Sequence, residues 1–377
     1  MVDIMVLPVR TRHEQNIFLT FPWKIYRDDP LWVPPLLPER KKAIDPKHGV
    51  FFQRGSAEFF IAWRDGKPVG TICSAEDSKA NSFNPVPDCL FGFFEFINDY
   101  RVFTALLERV RQWAKERGLV NLYGPFNLDY EDGYGVLLEG RDRPPVLYCG
   151  HTPPYYRDFY EQYGFAPARG CNLAFAFDLQ ELDSPAIKRL QQAADRLRQK
   201  GRFHIRPASL DQWDEEIDRV FYLINIALAH LPGHIPWQRE ALEALFLPFK
   251  DIADPELVLF AEDGDKTVGF FPGVPNLNEV FHKVNGLRYP WDYLKLLYYL
   301  KQRPQCLTIK SVLVLPEYWG SGVSLMLFDE MARRAKAKGY RWVDLSLTSD
   351  DNPNTPVLAE RMGAKIYKKY QVYRITA

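Results

Sequence analysis

The stretch VLVLPEYWGSGVSLMLF, which begins at Val312, has the residue types and spacing of a binding site. An apolar segment ends at Pro316, and the chain passes Gly320 and Gly322 before a predicted amphipathic helix begins. Successive amides at a glycine-rich helix start point towards one spot, where the helix dipole adds partial positive charge. The sequence therefore predicts an anion-binding turn. A turn that only begins the helix and binds nothing is the alternative.

Groups that can carry protons follow the turn on two predicted strands. Asp344 and Ser346 share one face of the first strand, where either could guide a proton or hold an amine. On the last strand, period-two alternation places Tyr367 and Tyr373 on one face and Tyr370 on the other. Our candidate catalytic residues are Tyr373, Asp344, Ser346 and Tyr367. The alternatives are a structural hydrogen-bonded pair for Asp344 and Ser346, and strand packing for the tyrosines.

The loop YGPFNLDYEDGYG, residues 123–135, is dense in glycine, tyrosine and acids. Loops carried by a rigid scaffold often hold binding residues. The candidates for substrate binding in this loop are Asn127, Asp129, Tyr130 and Tyr134. A tight connection between strands is the alternative.

Other phosphate-binding and metal-binding patterns are missing from the sequence. Neither GxxxxGK[ST] nor a strand-linked GxGxxG occurs. The five cysteines are scattered and never spaced as CxxC, which disfavours a zinc site and favours a reducing compartment. His230 and His234 have metal-like spacing, but Pro232 and Gly233 break any helix between them, so we expect a lid loop. We predict no metal.

Length and charge limit the class of protein. The chain has 377 residues, enough for two domains, and its 48 basic and 48 acidic residues cancel. Zero net charge gives no general attraction to nucleic acid or to an anionic membrane surface. Pro8 and charged residues interrupt the start of the chain before a signal-like region develops, and no apolar run reaches the length of a membrane span. We expect a cytoplasmic protein with no nucleic-acid partner.

The two halves of the chain repeat one layout. Residues 57–72 and 255–271 each contain an apolar strand, a turn with Asp-Gly, and a second strand with Val-Gly near its start. A strand, a helix and a strand follow at 91–126 and at 308–347. Each half then closes with a short helix, a glycine and a last strand.

Residues between the halves predict a linker helix, with Ser184 as its N-cap and Pro185 at its first position. The predicted fold class is α/β (α+β), and each domain is a mixed twisted sheet flanked by helices. The predicted organisation is a first domain at 1–183, a linker helix at 184–200 and a second domain at 201–377.

This layout resembles the GNAT superfamily of acyl-CoA-dependent N-acyltransferases. The superfamily's loop, Gln/Arg-x-x-Gly-x-Gly/Ala before a helix, is similar to Glu317 through Gly322, and its later Asn before a Gly matches Asn352 and Gly363. The layout covers both halves, whereas these motifs occur only in the second. The resemblance implies two tandem GNAT-like domains, of which the first is a degenerate copy.

The resemblance also implies that the anion at the turn is the pyrophosphate of coenzyme A, with acetyl-CoA or another acyl-CoA as co-substrate. The apolar strand before the turn would present backbone groups to the pantetheine arm. The implied cofactor-binding residues are Val312, Leu313, Val314, Tyr318, Trp319, Gly320, Ser321, Gly322, Val323, Ser324 and Asn352.

The sequence departs from the family pattern in both halves. Glu317 replaces the usual Gln or Arg, and its carboxylate would repel a phosphate unless it points outward. Ala359 stands where a Tyr often protonates the leaving thiolate, a modest demand because a thiol has a pKa of about 8.5. In the first half Tyr160 matches that position, but the loop FINDYRVF lacks both glycines. We expect one CoA per chain, in the second half.

The implied function is N-acyl transfer, with N-acetyl transfer as the first expectation, to a small-molecule or lipid-like amine acceptor. A non-catalytic GNAT-like module that binds a ligand or partner is the alternative, and Glu317 and Ala359 support it. Aminoacyl transfer from tRNA, which some tandem GNAT-like proteins perform, is disfavoured by zero net charge and the lack of a basic stripe. The acceptor, the acyl length and the oligomeric state, a homodimer included, stay open.

Overall fold

The computed structural model describes residues 3–128, 132–230, 236–247, 250, 253–310, 312–352 and 355–377. Its strands are β1 Met5–Pro8, β2 Gly55–Arg64, β3 Lys67–Asp77, β4 Asp88–Phe96, β5 Asn121–Gly124, β6 Val136–Glu139, β7 Ala166–Pro167, β8 Asn172–Asp178, β9 Phe203–Pro207, β10 Val258–Asp263, β11 Lys266–Pro275, β12 Cys306–Ile309, β13 Leu313–Val314, β14 Trp342–Ser349, β15 Lys365–Gln371 and β16 Tyr373–Thr376. Its α-helices are α1 Arg12–Thr20, α2 Pro22–Ile25, α3 Leu37–Ala43, α4 Ser78–Asn81, α5 Tyr100–Lys115, α6 Tyr155–Tyr163, α7 Pro185–Gln199, α8 Trp213–Ala227, α9 Arg239–Phe246, α10 Asn278–Phe281, α11 Pro290–Tyr299, α12 Val323–Ala337 and α13 Thr355–Arg361.

In the described part of the chain, these strands form two mixed sheets. The first has the order β1-β2-β3-β4-β5-β16-β7. Its neighbours are antiparallel, except that β4 and β5 are parallel. The β2–β3 hairpin turns at Asp65 and Gly66, whose φ angles of 50° and 68° are the left-handed values that a two-residue hairpin loop requires. The hairpin predicted from Asp-Gly is confirmed.

The second sheet has the order β6-β15-β8-β14-β12-β11-β10-β9, and β13 also pairs with β11. Strands β12 and β14 are parallel, and the other neighbours are antiparallel. Helix α12 packs on this sheet and buries a face that includes Met326, Phe328, Met331 and Ala335. The two mixed sheets with flanking helices confirm the predicted fold class.

The halves exchange strands. Strand β8 precedes the linker in the chain, yet it lies between β14 and β15 in the second sheet. In return β16, near the end of the chain, lies between β5 and β7 in the first sheet. Strand β6, also from the first half, pairs with β15 at the edge of the second sheet. A division of the chain at 184–200 therefore separates three strands from the sheets that they complete, and the domain boundaries themselves stay a prediction.

Helix α7 coincides with the predicted linker helix. Its N-cap Ser184 accepts a hydrogen bond from the Ile187 amide through Oγ, at 3.4 Å. The helix packs against α12, where Arg198 pairs with the buried Asp329 at 2.6 Å. The linker is therefore part of the packed structure of the second half.

The last strand differs from our prediction. We predicted one strand with Tyr367 and Tyr373 on the same face, but the chain leaves the second sheet after Gln371 and enters the first sheet at Tyr373. Tyr373 is buried there, with its ring stacked on Tyr160 at 4.8 Å. Period-two alternation holds only within one strand, so it could not relate these tyrosines.

A cluster of polar groups joins the start of the chain to the first sheet. Tyr156 donates a hydrogen bond to the Glu95 carboxylate at 2.6 Å, and the Tyr26 hydroxyl lies 3.0 Å from the same oxygen. Nearby, the His151 ring contacts Asp29 at 2.7 Å. Removal of the Glu95 carboxyl from water raises its pKa from 4.5 to about 7, against the opposing effect of the two tyrosines.

This pKa predicts a pH-dependent stability. Folded protein binds the Glu95 proton more tightly than unfolded protein, so the stabilisation is complete below about pH 4.5 and is lost as the pH rises to about 7. The loss is at most about 3 kcal/mol. Glu95→Gln keeps the neutral form at every pH, and urea unfolding should show a flatter pH dependence in this variant than in the wild type. Equal dependence in both proteins would refute the assignment.

Candidate functional site

The glycine turn has the backbone conformation that the sequence predicts. Gly320 and Gly322 have φ angles of 77° and 91°, and Gly322 is the N-cap of α12. No side chain caps this helix start at the Gly322 position, although Ser321 Oγ accepts from the Val323 amide at 3.3 Å. The first-turn amides of a helix have no partner within the helix. The turn therefore has donors for an anion.

The two glycines differ in what surrounds them. A Cβ on Gly320 would meet no atom within 4 Å, whereas a Cβ on Gly322 would overlap the Leu197 side chain of α7. Gly322 is thus required by packing as well as by its φ angle. Gly320 is the position where a side chain tests anion binding without a clash.

Beside the turn, two strands of the second sheet separate. Strands β12 and β14 pair from Cys306–Trp342 to Thr308–Asp344, after which β13 pairs with β11 instead. The Leu315 amide donates to Val268 on β11, so Val314 presents its backbone groups to the opposite side. There the Trp319 indole donates to the Val314 carbonyl at 3.0 Å. The gap faces β14 and lies next to the glycine turn.

Asp344 lies where the strands separate, and the structure brings Tyr367 to it. The Tyr367 hydroxyl donates to Asp344 Oδ2 at 2.8 Å, and the Ser346 amide donates to Oδ1 at 3.1 Å. Asp344 is fully buried, and burial raises its pKa, against the lowering effects of Lys310 and Tyr367. Of the four predicted catalytic residues, three are therefore together, and Tyr373 is in the other sheet.

This contact crosses the exchanged strand. Ala176 on β8 pairs with Asp344 on one side and with Lys365 on the other, and both outer strands have irregular register next to it. Tyr367 is the residue left out of the β15 pairing, and Ser346, in the β14 irregularity, has a φ of 65°. Bulges re-aim side chains. The bulge in β15 directs the Tyr367 phenol across β8.

An apolar cavity of about 100 Å³ lies beside this group, and the sequence did not predict it. Its lining comes from α8, α9, β10 and β11 and includes Ile217, Val220, Phe246, Phe260, Phe270 and Val274. Lys310 and Tyr148 also line it, with the Lys310 ammonium 5.9 Å from the Tyr148 ring. Val274 in the lining pairs with Thr308, which pairs with Asp344, so the cavity and the carboxylate lie on the same face of the sheet, two strands apart. A charged residue directly after the apolar strand 306–309 was the available sequence signal.

The corresponding place in the first half is filled by the chain itself. Strands β4 and β5 also separate, after the Leu90–Tyr123 pair. There the Phe126 backbone lies against Gly92, so close that a Cβ on Gly92 would overlap the Phe126 carbonyl. The Phe93 amide donates to Asn127 Oδ1 at 2.8 Å, which occupies the strand edge.

The first half also has a carboxylate at the helix start. Asp99 is the N-cap of α5 and accepts from the Arg101 amide at 3.0 Å. The side chains of Arg101 and Arg64 also bind it, and these hydrogen bonds hold its pKa at about 2. An internal anion therefore lies where the second half has bare glycine.

The remaining predicted residues have these positions. Asn127 and Tyr134 are part of the packed first half, and Asp129 and Tyr130 lie outside the described residues. The carboxylate of Glu317 pairs with Lys266 at 2.8 Å on the surface, so the repulsion we expected is countered by a cation. Asn352 accepts from the Thr355 amide at 3.2 Å, at the start of α13. Roles in binding CoA or substrate stay predictions.

The comparisons with known proteins agree with this geometry. Residues 213–364 match the family model described as the acetyltransferase (GNAT) family. "Bacterial ceramide synthase" from Caulobacter vibrioides is 29% identical, covering 98% of this chain and 97% of its own, and "Protein YghO" from Escherichia coli is 28% identical, covering 96% and 93%. A tandem GNAT protein from the clavulanic acid biosynthesis pathway has a similar fold, with a TM-score of 0.59 at 11% identity over 99% of this chain and 98% of its own.

Two mixed sheets, each with a parallel pair of strands that separates before a helix start, define a tandem acyltransferase-type fold. Residues 213–364 form a GNAT-family domain, and the whole chain has the fold of a tandem GNAT protein. The predicted family is confirmed.

The glycine turn predicts a charge-dependent loss of CoA affinity. Asp and Asn both tolerate a positive φ and have nearly the same shape, so Gly320→Asp and Gly320→Asn form a matched pair in open space. Only Asp adds a negative charge beside a bound pyrophosphate, and we expect it to weaken CoA binding at least tenfold more than Asn, about 1.4 kcal/mol. Calorimetry measures both affinities. Equal affinities in two folded variants would exclude an anion at this turn.

Proposed function

We propose that the protein is an acyl-CoA-dependent N-acyltransferase that transfers a long apolar acyl group to a lipid-like amine. The observation that carries the proposal is the apolar cavity lined by Val274 and Lys310, on the same face of the second sheet as Asp344. A cavity of about 100 Å³ has room for only a few carbons of an acyl chain, so it would take part of a longer chain, whereas an acetyl group needs no such space. The relative named "Bacterial ceramide synthase", which spans the same length of chain, supports an acyl-transfer function with a lipid-like acceptor.

In the proposed site, four parts of acyl-CoA have separate positions. The pyrophosphate binds the amides at Gly320 through Ser324, and the pantetheine arm lies along the free edge at Val314. The thioester then lies near Lys310 and Asp344, and the acyl chain enters the cavity. Trp319, whose indole hydrogen-bonds to Val314, moves aside or borders the arm.

The reaction requires one proton transfer from the amine. The neutral amine nitrogen attacks the thioester carbonyl carbon, a C–N bond forms and the C–S bond breaks. Asp344 accepts the amine proton as a general base, and the raised pKa makes it a stronger base than an aspartate in water. The thiolate of CoA leaves and takes up the proton that Asp344 received, which restores the carboxylate, and no redox change occurs. Lys310 stabilises the negative charge that develops on the carbonyl oxygen.

The first half binds no CoA in this proposal. Asn127 at its strand edge and Asp99 at its helix start occupy the positions that the arm and the pyrophosphate would need. Its contribution is β8, which places Asp344 and Tyr367 side by side. One CoA per chain follows.

The cavity predicts a dependence on acyl length. The larger side chain of Val274→Phe fills part of the cavity. If it excludes two methylenes of the acyl chain, about 1.6 kcal/mol of binding energy is lost, which lowers kcat/KM more than tenfold. We expect amide formation from palmitoyl-CoA and a long-chain amino alcohol to fall at least tenfold, while transfer from acetyl-CoA changes little. Mass spectrometry of the amide measures both rates.

Val50→Phe, the same change at an exposed position of the first half, is the control and should alter neither rate. An equal loss for both acyl groups in Val274→Phe would contradict the acyl role of the cavity. Absence of any amide from the wild type, with CoA still bound, would favour the non-catalytic alternative.

The hydrogen bond to Asp344 predicts a shift in pH dependence. The Tyr367 hydroxyl lowers the pKa of Asp344, so Tyr367→Phe should raise that pKa and move the acidic limb of kcat/KM to higher pH, with near-wild-type rates on the alkaline side. Tyr370→Phe is the matched control, since its hydroxyl binds the Gly150 carbonyl instead. An unshifted limb in Tyr367→Phe would remove Asp344 as the base.

A further inference from the structure

The segment between β11 and β12 is much longer than the connection of these strands requires. The two strands are antiparallel neighbours, which a loop of two to five residues commonly joins. Residues 276–305 occupy this connection and include α10 and α11. An insertion of this length with its own helices needs a separate explanation.

The insertion is anchored at its base. The Trp23 indole donates to Asn285 Oδ1 at 2.7 Å, and the His282 ring contacts the Pro30 carbonyl at 2.7 Å. Glu279 accepts from the Gln305 and Cys306 amides at 2.8 and 2.9 Å. These contacts hold the base against the first half of the chain and against β12.

In contrast, α11 presents a bare apolar face. The described residues include 22 exposed large hydrophobic side chains, and seven of them fall within residues 289–300. The most exposed are Leu294 at 70%, Tyr298 at 63% and Leu297 at 62%. We call this set the α11 face: Tyr289, Trp291, Tyr293, Leu294, Leu297, Tyr298 and Leu300. A cluster of this kind on a soluble fold marks an interaction site.

The charge around the α11 face is positive. Residues 283–303 contain Lys283, Arg288, Lys295, Lys301 and Arg303 and a single acid, Asp292. Asp292 is 1% exposed, accepts from the Tyr289 amide at 3.0 Å and pairs with Lys295. The exposed charge of this segment is therefore basic, although the whole chain is neutral.

We propose that the α11 face binds the surface of an anionic lipid membrane. A short helix with Trp, Tyr and Leu on one face and Lys or Arg beside them is typical of segments that lie in the interface. Aromatic rings with a polar edge suit the headgroup level, and the lysines meet the anionic headgroups. A second copy is a poorer occupant, since a two-fold contact would bring the lysines of one face towards those of the other.

The proposal concerns attachment at the surface and does not depend on the proposed reaction. No α-helix among the described residues is long and apolar enough to cross a membrane. From the sequence we expected that zero net charge gives no attraction to an anionic membrane. That expectation used the charge of the whole chain and not the charge of one surface segment. The local surface of 283–303 is what a membrane would meet.

Flotation with lipid vesicles tests the proposal. We expect the wild type to bind vesicles of phosphatidylcholine with phosphatidylglycerol at least tenfold more tightly than phosphatidylcholine alone, and added salt to weaken the binding. Leu294→Glu with Leu297→Glu should lose at least tenfold. Val357→Glu with Leu358→Glu adds the same charges at exposed apolar positions of α13 and should bind as the wild type does.

Thermal unfolding checks that each variant is folded. If the Glu variant is unfolded, the double variant Lys295→Gln with Lys301→Gln tests the proposal instead. It keeps the apolar face and should reduce only the preference for anionic over neutral vesicles. No wild-type binding to either vesicle, or equal binding by wild type and folded variants, would overturn the proposal. A wild-type dimer that the Glu variant converts to a monomer, without vesicle binding, would assign the face to a second copy instead.

Discussion

The hydrogen bond from Tyr367 to Asp344 crosses a strand that the other half of the chain supplies. Ala176 on β8 pairs with Asp344 on one side, and its small side chain leaves room for a phenol above it. A bulky residue there would separate the two groups. The GNAT-like motifs of the sequence occur only in the second half, yet the second half cannot place this pair without β8. The exchange of strands is therefore a requirement of the site.

The two halves begin the helix of the same strand-to-helix unit in two different ways. In the second half, α12 begins at Gly322, whose lack of a side chain leaves the helix start accessible to an external anion. In the first half, α5 begins at Asp99, which satisfies the helix start with an internal carboxylate, and Asn127 satisfies the neighbouring strand edge. These internal groups stabilise the fold, and in our proposal they also leave the first half without a site for CoA.

Local chemistry was predictable from the sequence. The Asp65–Gly66 hairpin, the glycine turn and the Ser184 cap each depend on residues that are close in the chain and on backbone angles that few residue types allow. Strand exchange was not predictable, because NLAFAFD and YRIT have no feature that specifies one sheet over the other. For the same reason, alternation placed Tyr373 beside Tyr367 although they belong to different sheets.

A residue of the candidate site was predictable only where its type and its place in the sequence indicate its role. Asp344 could be selected as a carboxylate after a glycine turn, but its partner required knowledge of β8 and of the bulge at Tyr367. Asn127 looked like a ligand-binding amide, whereas the Phe93 amide already uses its oxygen. Apart from Lys310 directly after the apolar strand 306–309, the cavity has no sequence signal, since it is the space that residues from several elements leave unfilled.

The insertion connects these features to one another. Asn276, its first residue, accepts a hydrogen bond from the Leu147 amide at 3.2 Å, and the next residue, Tyr148, lines the cavity. The start of the insertion is thus one residue away from the cavity wall, and the cavity and the α11 face are both apolar beside a lysine. An enzyme that takes both substrates from water would have no use for such a face, because exposed leucines lower solubility. A lipid-like amine and a long acyl chain, which concentrate at membranes, give the face and the cavity a common physical reason.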